Sequence, residues 1–109
     1  MVAEPAELAQ LLVGLLEAAR PTRWKAGYVR VDWREVERVV KQINRATGTR
    51  SHRDRRGRVT ISPATPLAAA ANATGDAVAR TRRVPFSYDA LLPAGRAADL
   101  AATLRLAAA

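Results

Sequence analysis

Five arginines, Arg50, Arg53, Arg55, Arg56 and Arg58, crowd the stretch TRSHRDRRGRVTIS between positions 49 and 62. A guanidinium is permanently charged, planar and forked, so it matches the oxygens of a phosphate better than a lysine does. Held at a fixed spacing, such groups can follow a polyanion and displace its condensed counterions. Six contacts of this kind would give a slope of log K against log salt on the order of −5. Arg38, Lys41 and Arg45 lie upstream at helical spacing and extend the same charge. The expected chemistry is therefore neutralisation of phosphates, with Arg55 and Arg56 as the most exposed fingers.

Catalysis has far less to work with. The single histidine, His52, follows Ser51, and adjacent strand residues point to opposite faces, so the two form no dyad. Only arginines surround His52, whereas a metal needs several converging His, Asp or Glu ligands. Asp32 and Glu35 are accounted for as helix-capping residues. Gly48, Gly57, Gly75 and Gly95 are isolated, so no phosphate-cradling loop is written here. A non-enzymatic protein without metal or cofactor is expected.

The charge is localised. The 109 residues carry a formal charge of +8 with only two lysines, Lys25 and Lys41, a bias that GC-rich codon usage can produce unaided. Codon usage does not concentrate charge, however. Residues 1–19 hold three acids and no base, residues 20–58 hold 13 bases against four acids, and the remainder is nearly neutral apart from Arg80, Arg82 and Arg83. Among the apolar residues 24 are alanine. Leu, Ile, Val and Phe make up about 22% of the chain, just above the level at which charged chains tend to disorder. A single small domain with a thin core is expected, residues 1–62 forming an α/β-hairpin part with the basic arm and 63–109 an Ala-rich helical part.

There is no cysteine to pair or to bind metal. The run LLVGLL at 11–16 is too short to span a bilayer, and Glu4 and Glu7 stand where a signal peptide has basic residues. A cytoplasmic protein with no membrane contact is expected.

The elements that must position the arginines follow from periodicity. Leu8, Leu11, Leu12, Leu15, Leu16 and Ala19 form one helical stripe over 5–20, with Pro5 at the first turn, Arg20 at the negative end and Pro21 as the stop. Val29 and Val31 suggest a short strand over 28–31. Asp32 then caps a helix from Trp33 to Thr47, in a capping-box pair with Glu35. That helix should bury Trp33, Val36, Val39, Val40 and Ile43 and expose Arg34, Arg38, Lys41 and Arg45, with Gly48 as its left-handed stop.

Asp54-Arg55-Arg56-Gly57 has Asp first and Gly fourth, as in a type I turn with a glycine bulge, and so predicts a β-hairpin with arms 49–53 and 58–62. Val59 and Ile61 should face inward, and the hairpin should pack on a helix or join strand 28–31, because a bare hairpin is marginal in water. Thr65-Pro66 starts an Ala-rich helix to about 82, whose negative end would attract Arg80, Arg82 and Arg83. Val84-Pro85-Phe86 reads as extended, Ser87 as the cap of a short turn through Leu91 and Leu92, and Pro93 as the start of a last helix with Leu100 and Leu104 on one face. The fold class is α+β: an N-terminal amphipathic helix, a short strand, a basic-faced helix, a basic hairpin and Ala-rich C-terminal helices.

Two functions fit this pattern. In the first, Arg38, Lys41, Arg45, Arg50, Arg53, Arg55, Arg56 and Arg58 bind the backbone of DNA or RNA. Helix followed by hairpin is winged-helix-like, but only one helix lies between strand 28–31 and the hairpin and the helix-turn-helix pair is missing, so no family is assigned. Trp24 and Tyr28 could stack on bases, though a thin core has the stronger claim on them. In the alternative, the protein is an assembly subunit. Leu8, Leu11, Leu12, Leu15 and Leu16 would then pair a homodimer, or the arginines would meet an acidic partner, and otherwise the charge only guards an edge strand.

Overall fold

The computed structural model describes residues 3–23 and 25–109; Trp24, considered above for stacking, lies outside the described residues. Pro5 opens helix α1 (Pro5–Glu17), which ends three residues earlier than its apolar stripe suggested. Arg20 therefore does not complement the helix dipole. Arg20 and Pro21 form a minimal strand, β1 (Arg20–Pro21), paired antiparallel with Arg30 and Val29 of β2 (Tyr28–Asp32).

Helix α2 (Trp33–Thr47) begins at its expected cap. The Asp32 carboxylate accepts from the backbone N–H groups of Arg34 (3.0 Å) and Glu35 (3.1 Å), satisfying two donors left over at the first turn. The reciprocal half of a capping box is not made, because Glu35 turns to Arg38 instead. Gly48 ends α2 with φ of 79°, the sign expected, but with ψ of −176°, so the chain leaves extended and runs straight into a strand.

That strand, β3 (Thr49–Arg53), pairs with β4 (Val59–Pro63) in a two-stranded sheet of its own. The second strand lies one residue later than its sequence pattern gave. Helix α3 (Pro66–Ala79) follows, its first turn capped by the Thr65 hydroxyl, which accepts from Ala68 N–H at 3.1 Å. It stops before Arg80, and no basic residue occupies its last turn. Arg82 and Arg83 therefore are not dipole partners. Arg82 O accepts from Leu91 N–H, and Arg83 bridges Ala90.

The expected turn through Leu91 and Leu92 is instead a strand, β5 (Asp89–Pro93), pairing residue for residue with β2 from Asp32↔Asp89 to Tyr28↔Pro93. Two aspartates thus face each other across the ladder. The conflict is removed because Asp32 is engaged in the α2 cap, while Asp89 holds the diagonal Arg30 through Nε at 2.8 Å and an Nη at 2.7 Å. Chain order β1-β2-β5 makes β2 the central strand. Helix α4 (Ala94–Ala108) then begins after Pro93, as expected.

The helices cover this sheet and each other. Leu8, Leu12, Leu16, Val31, Val36, Val39, Ile43, Leu92, Leu100 and Leu104 form the core, with alanines of α3 and α4 in the close contacts between them. Helix α1 packs mainly on α4 and α2, and α2 on α3. The N-terminal and C-terminal parts are accordingly interleaved: β5 and α4 complete the sheet and core begun by β2 and α1. Near the C-terminal end of α2, Asn44 and Asn72 exchange amide hydrogen bonds of 2.8 and 3.1 Å, tying α2 to α3.

Candidate nucleic-acid interface

The β3–β4 arm is built by its turn. Gly57 N–H donates to Asp54 O (3.1 Å) and Asp54 N–H to Arg58 O (3.0 Å), while Gly57 adopts φ of 78°. The Asp54 carboxylate accepts from the N–H groups of Arg56 (2.8 Å) and Arg58 (2.9 Å). One acid therefore fixes the backbone that presents Arg55, Arg56 and Arg58. At the base, Ala64 N–H donates to Gly48 O at 3.4 Å, so the arm leaves the body and returns to it at one point.

Apart from that base and the contacts of β4 with α3, the arm stands in water. Every residue from Thr49 to Ser62 is exposed, including Val59 (55%) and Ile61 (69%), which do not face inward. The hairpin does not join β2, because β1 and β5 already occupy both sides of that strand; its helix contacts are those of β4 with α3. Both arm strands are edges. Residues opposite each other share a face, so Arg50, His52, Thr60 and Ser62 lie on one side, and Ser51, Arg53, Val59 and Ile61 on the other. Ser51 and His52 are indeed on opposite sides. Among the described residues, Arg50, Arg53, Arg55, Arg56 and Arg58 have no acidic partner.

The helical part of the expected site is less free. Arg34, Arg38, Lys41 and Arg45 recur at steps of four, three and four along the exposed face of α2, which is about 22 Å long. Arg38 binds the Glu35 carboxylate at 2.6 Å and Lys41 lies 3.1 Å from Glu37. The Glu35 contact holds that carboxyl below its ordinary pKa and raises the Arg38 guanidinium above its own, the hydrogen bond being the main cause in both. Arg45, nearest the arm, has no such partner among the described residues.

The interface leucines divide. Leu8, Leu12 and Leu16, which the assembly reading placed in a homodimer seam, are buried inside the chain's own core, to which α4 supplies Leu100 and Leu104. Leu15 is half-buried, and Leu11 is 53% exposed.

One cluster has no counterpart in the sequence reading. Trp33, expected in the core, is only half-buried. Its ring meets Tyr88 edge-on, with centroids 6.4 Å apart and planes at 72°. The Arg83 guanidinium lies over Trp33 at 4.1 Å and that of Arg34 over Tyr88 at 4.4 Å. Two residues before Tyr88, Phe86 is fully exposed with φ of 60°. Val84-Pro85-Phe86-Ser87 thus has proline second and a positive φ third, the pattern of a type II turn, in which that third place normally belongs to Gly or Asn. Left-handed backbone costs a residue with a Cβ about 1–2 kcal/mol. The turn is nevertheless tied at several points: Ser87 Oγ donates to Val84 O (2.9 Å) and accepts from Asp89 N–H (3.2 Å), and Val84 N–H donates to Asp89 O (2.9 Å). A proline followed by two aromatics among polar residues was the available signal. Tyr28, the other stacking candidate, is half-buried with Lys25 Nζ 4.1 Å above its ring.

A cleft of about 800 Å³ lies elsewhere, between the end of α1 and the sheet. Its carboxylates, Asp32 and Asp89, are engaged as described above. Among the described residues no three His, Asp or Glu side chains gather as a metal site, and no helix is long and apolar enough to cross a membrane. Comparison with protein-family models, curated proteins and solved structures finds no match to the chain.

Proposed function

We propose that the chain is a small non-enzymatic protein that binds nucleic acid through backbone phosphates, using the β3–β4 arm and the adjoining face of α2. One observation carries this reading: five guanidinium groups, without acidic partners among the described residues, stand on an exposed hairpin fixed by its own turn. A purely protective charge on an edge strand would need fewer groups and no projecting limb. Arg55, Arg56 and Arg58 at the tip and Arg50 and Arg53 along β3 neutralise phosphates. Arg45 continues the line onto α2, while Arg38 and Lys41 join by exchanging Glu35 and Glu37 for the ligand.

The test is a salt titration of binding to generic DNA and RNA, repeated with Arg53, Arg55 and Arg56 changed together to glutamate. Wild-type protein should bind with steep salt dependence, and the triple variant should lose binding at least a hundredfold with an unchanged circular dichroism spectrum. Absence of any shift for wild type at low salt, on the order of 50 mM, overturns the reading.

A helix-mediated assembly subunit remains the second reading, supported by the exposure of Leu11 on α1 and Leu106 on α4, two helices that pack together. Leu11→Asp should then dissociate a dimer seen by light scattering. A wild-type monomer at all concentrations counts against it.

A further inference from the structure

We infer that the turn at residues 84–88 is a base-stacking station, and that the ligand the chain prefers is a nucleic acid with unpaired bases; this rests on the nucleic-acid reading above. The fully exposed Phe86 and the largely exposed Tyr88 sit in one tied turn, which fixes the backbone that presents them, and the Tyr88 ring is further held by Trp33 and Arg34. Exposed aromatic rings commonly mark a contact site, and here the chemistry of the contact is narrowed by what surrounds them. Arg34 and Arg83 lie against the rings of Tyr88 and Trp33, and Arg82 is exposed beside Arg83. An apolar protein surface laid on Phe86 would have to strip water from these guanidinium groups without compensating them. A nucleotide offers both halves of the match, a flat base for the ring and a phosphate for the arginine.

Position supplies the second argument. The cationic row on α2 begins with Arg34 against Tyr88 and proceeds through Arg38 and Lys41 to Arg45, where the arm starts. The aromatic turn and the arm thus lie towards the two ends of one charged row about 16 Å long. A strand following that track reaches the rings with its bases only if they are unpaired, because in a duplex they are stacked on their neighbours.

Phe86→Gly separates stacking from folding, since glycine suits the positive φ that phenylalanine tolerates poorly. The probes are a labelled single-stranded oligothymidylate, an abasic strand of equal length and a blunt duplex. Wild type should bind the base-bearing strand on the order of tenfold more tightly than the abasic one. Phe86→Gly and Phe86→Ala should lose that preference while keeping duplex affinity, and Phe86→Gly should unfold at an equal or higher temperature. Equal binding of the two strands by wild type, or a preference that survives both substitutions, overturns the stacking station and leaves the arm reading standing. If wild type binds none of the probes at low salt, both fall together.

Discussion

Two antiparallel ladders of five residue pairs each run through this molecule, and they share almost nothing else. The β2–β5 ladder lies under helices and contains Val31, Ala90 and Leu92, all buried. The β3–β4 ladder has the same number of pairs and is in water on both faces. Equal hydrogen bonding with such unequal burial separates two sources of order. In the body, apolar area removed from water dominates. In the arm, order comes from one turn and a fixed base. The arm should therefore open and close locally at much lower free energy than the body unfolds.

The largest contrast should come from removing apolar volume. Leu12→Ala or Leu104→Ala, at fully buried positions, should cost about 2–5 kcal/mol in denaturant unfolding. Ile61→Ala in the arm should stay within about 0.5 kcal/mol. A large loss at Ile61 would mean that this side chain packs against something after all.

Caps should sharpen the same difference. Asp32→Ala and Asp54→Ala each remove a carboxylate that accepts two backbone hydrogen bonds. The first should lower global stability by about 1 kcal/mol. The second should leave the global transition in place, speed amide exchange across 49–63 and weaken nucleic-acid binding.

The two ladders also differ in how far they could be read from sequence. The arm was legible because its determinants are neighbours: Asp54 and Gly57 specify the turn, and the strands follow on either side. Its exposure was not. Alternation correctly put Val59 and Ile61 on one face, but no local pattern says whether anything lies beneath that face. β5 was missed for the complementary reason. DALLP ends in proline and is too short to show a period, and its partner β2 lies about 60 residues earlier in the chain. The aromatic cluster joins Trp33 to Tyr88 and Arg83 across a similar separation, so it too emerges only when β5 docks.

Glycine should give the smallest effect and the sign change. Gly75 lies inside α3, where an added Cβ would meet Val40 methyl carbons at 3.6 and 3.7 Å, ordinary contact distances. Gly75→Ala should raise stability by about 0.5–1 kcal/mol through helix propensity. Gly57→Ala, at φ of 78°, meets no atom yet must adopt a left-handed backbone. It should loosen the hairpin tip in amide exchange without shifting the melting temperature.

Because Gly48 and Ala64 meet through a hydrogen bond, the arm is inserted into the α2–α3 connection as a cassette. Lengthening each strand by two residues would carry the tip about 7 Å further out with every side chain on its present side. Adding one residue to each would move it half as far and turn the tip over, exchanging the faces its arginines command. Reach and orientation can thus be varied separately while the body stays as it is.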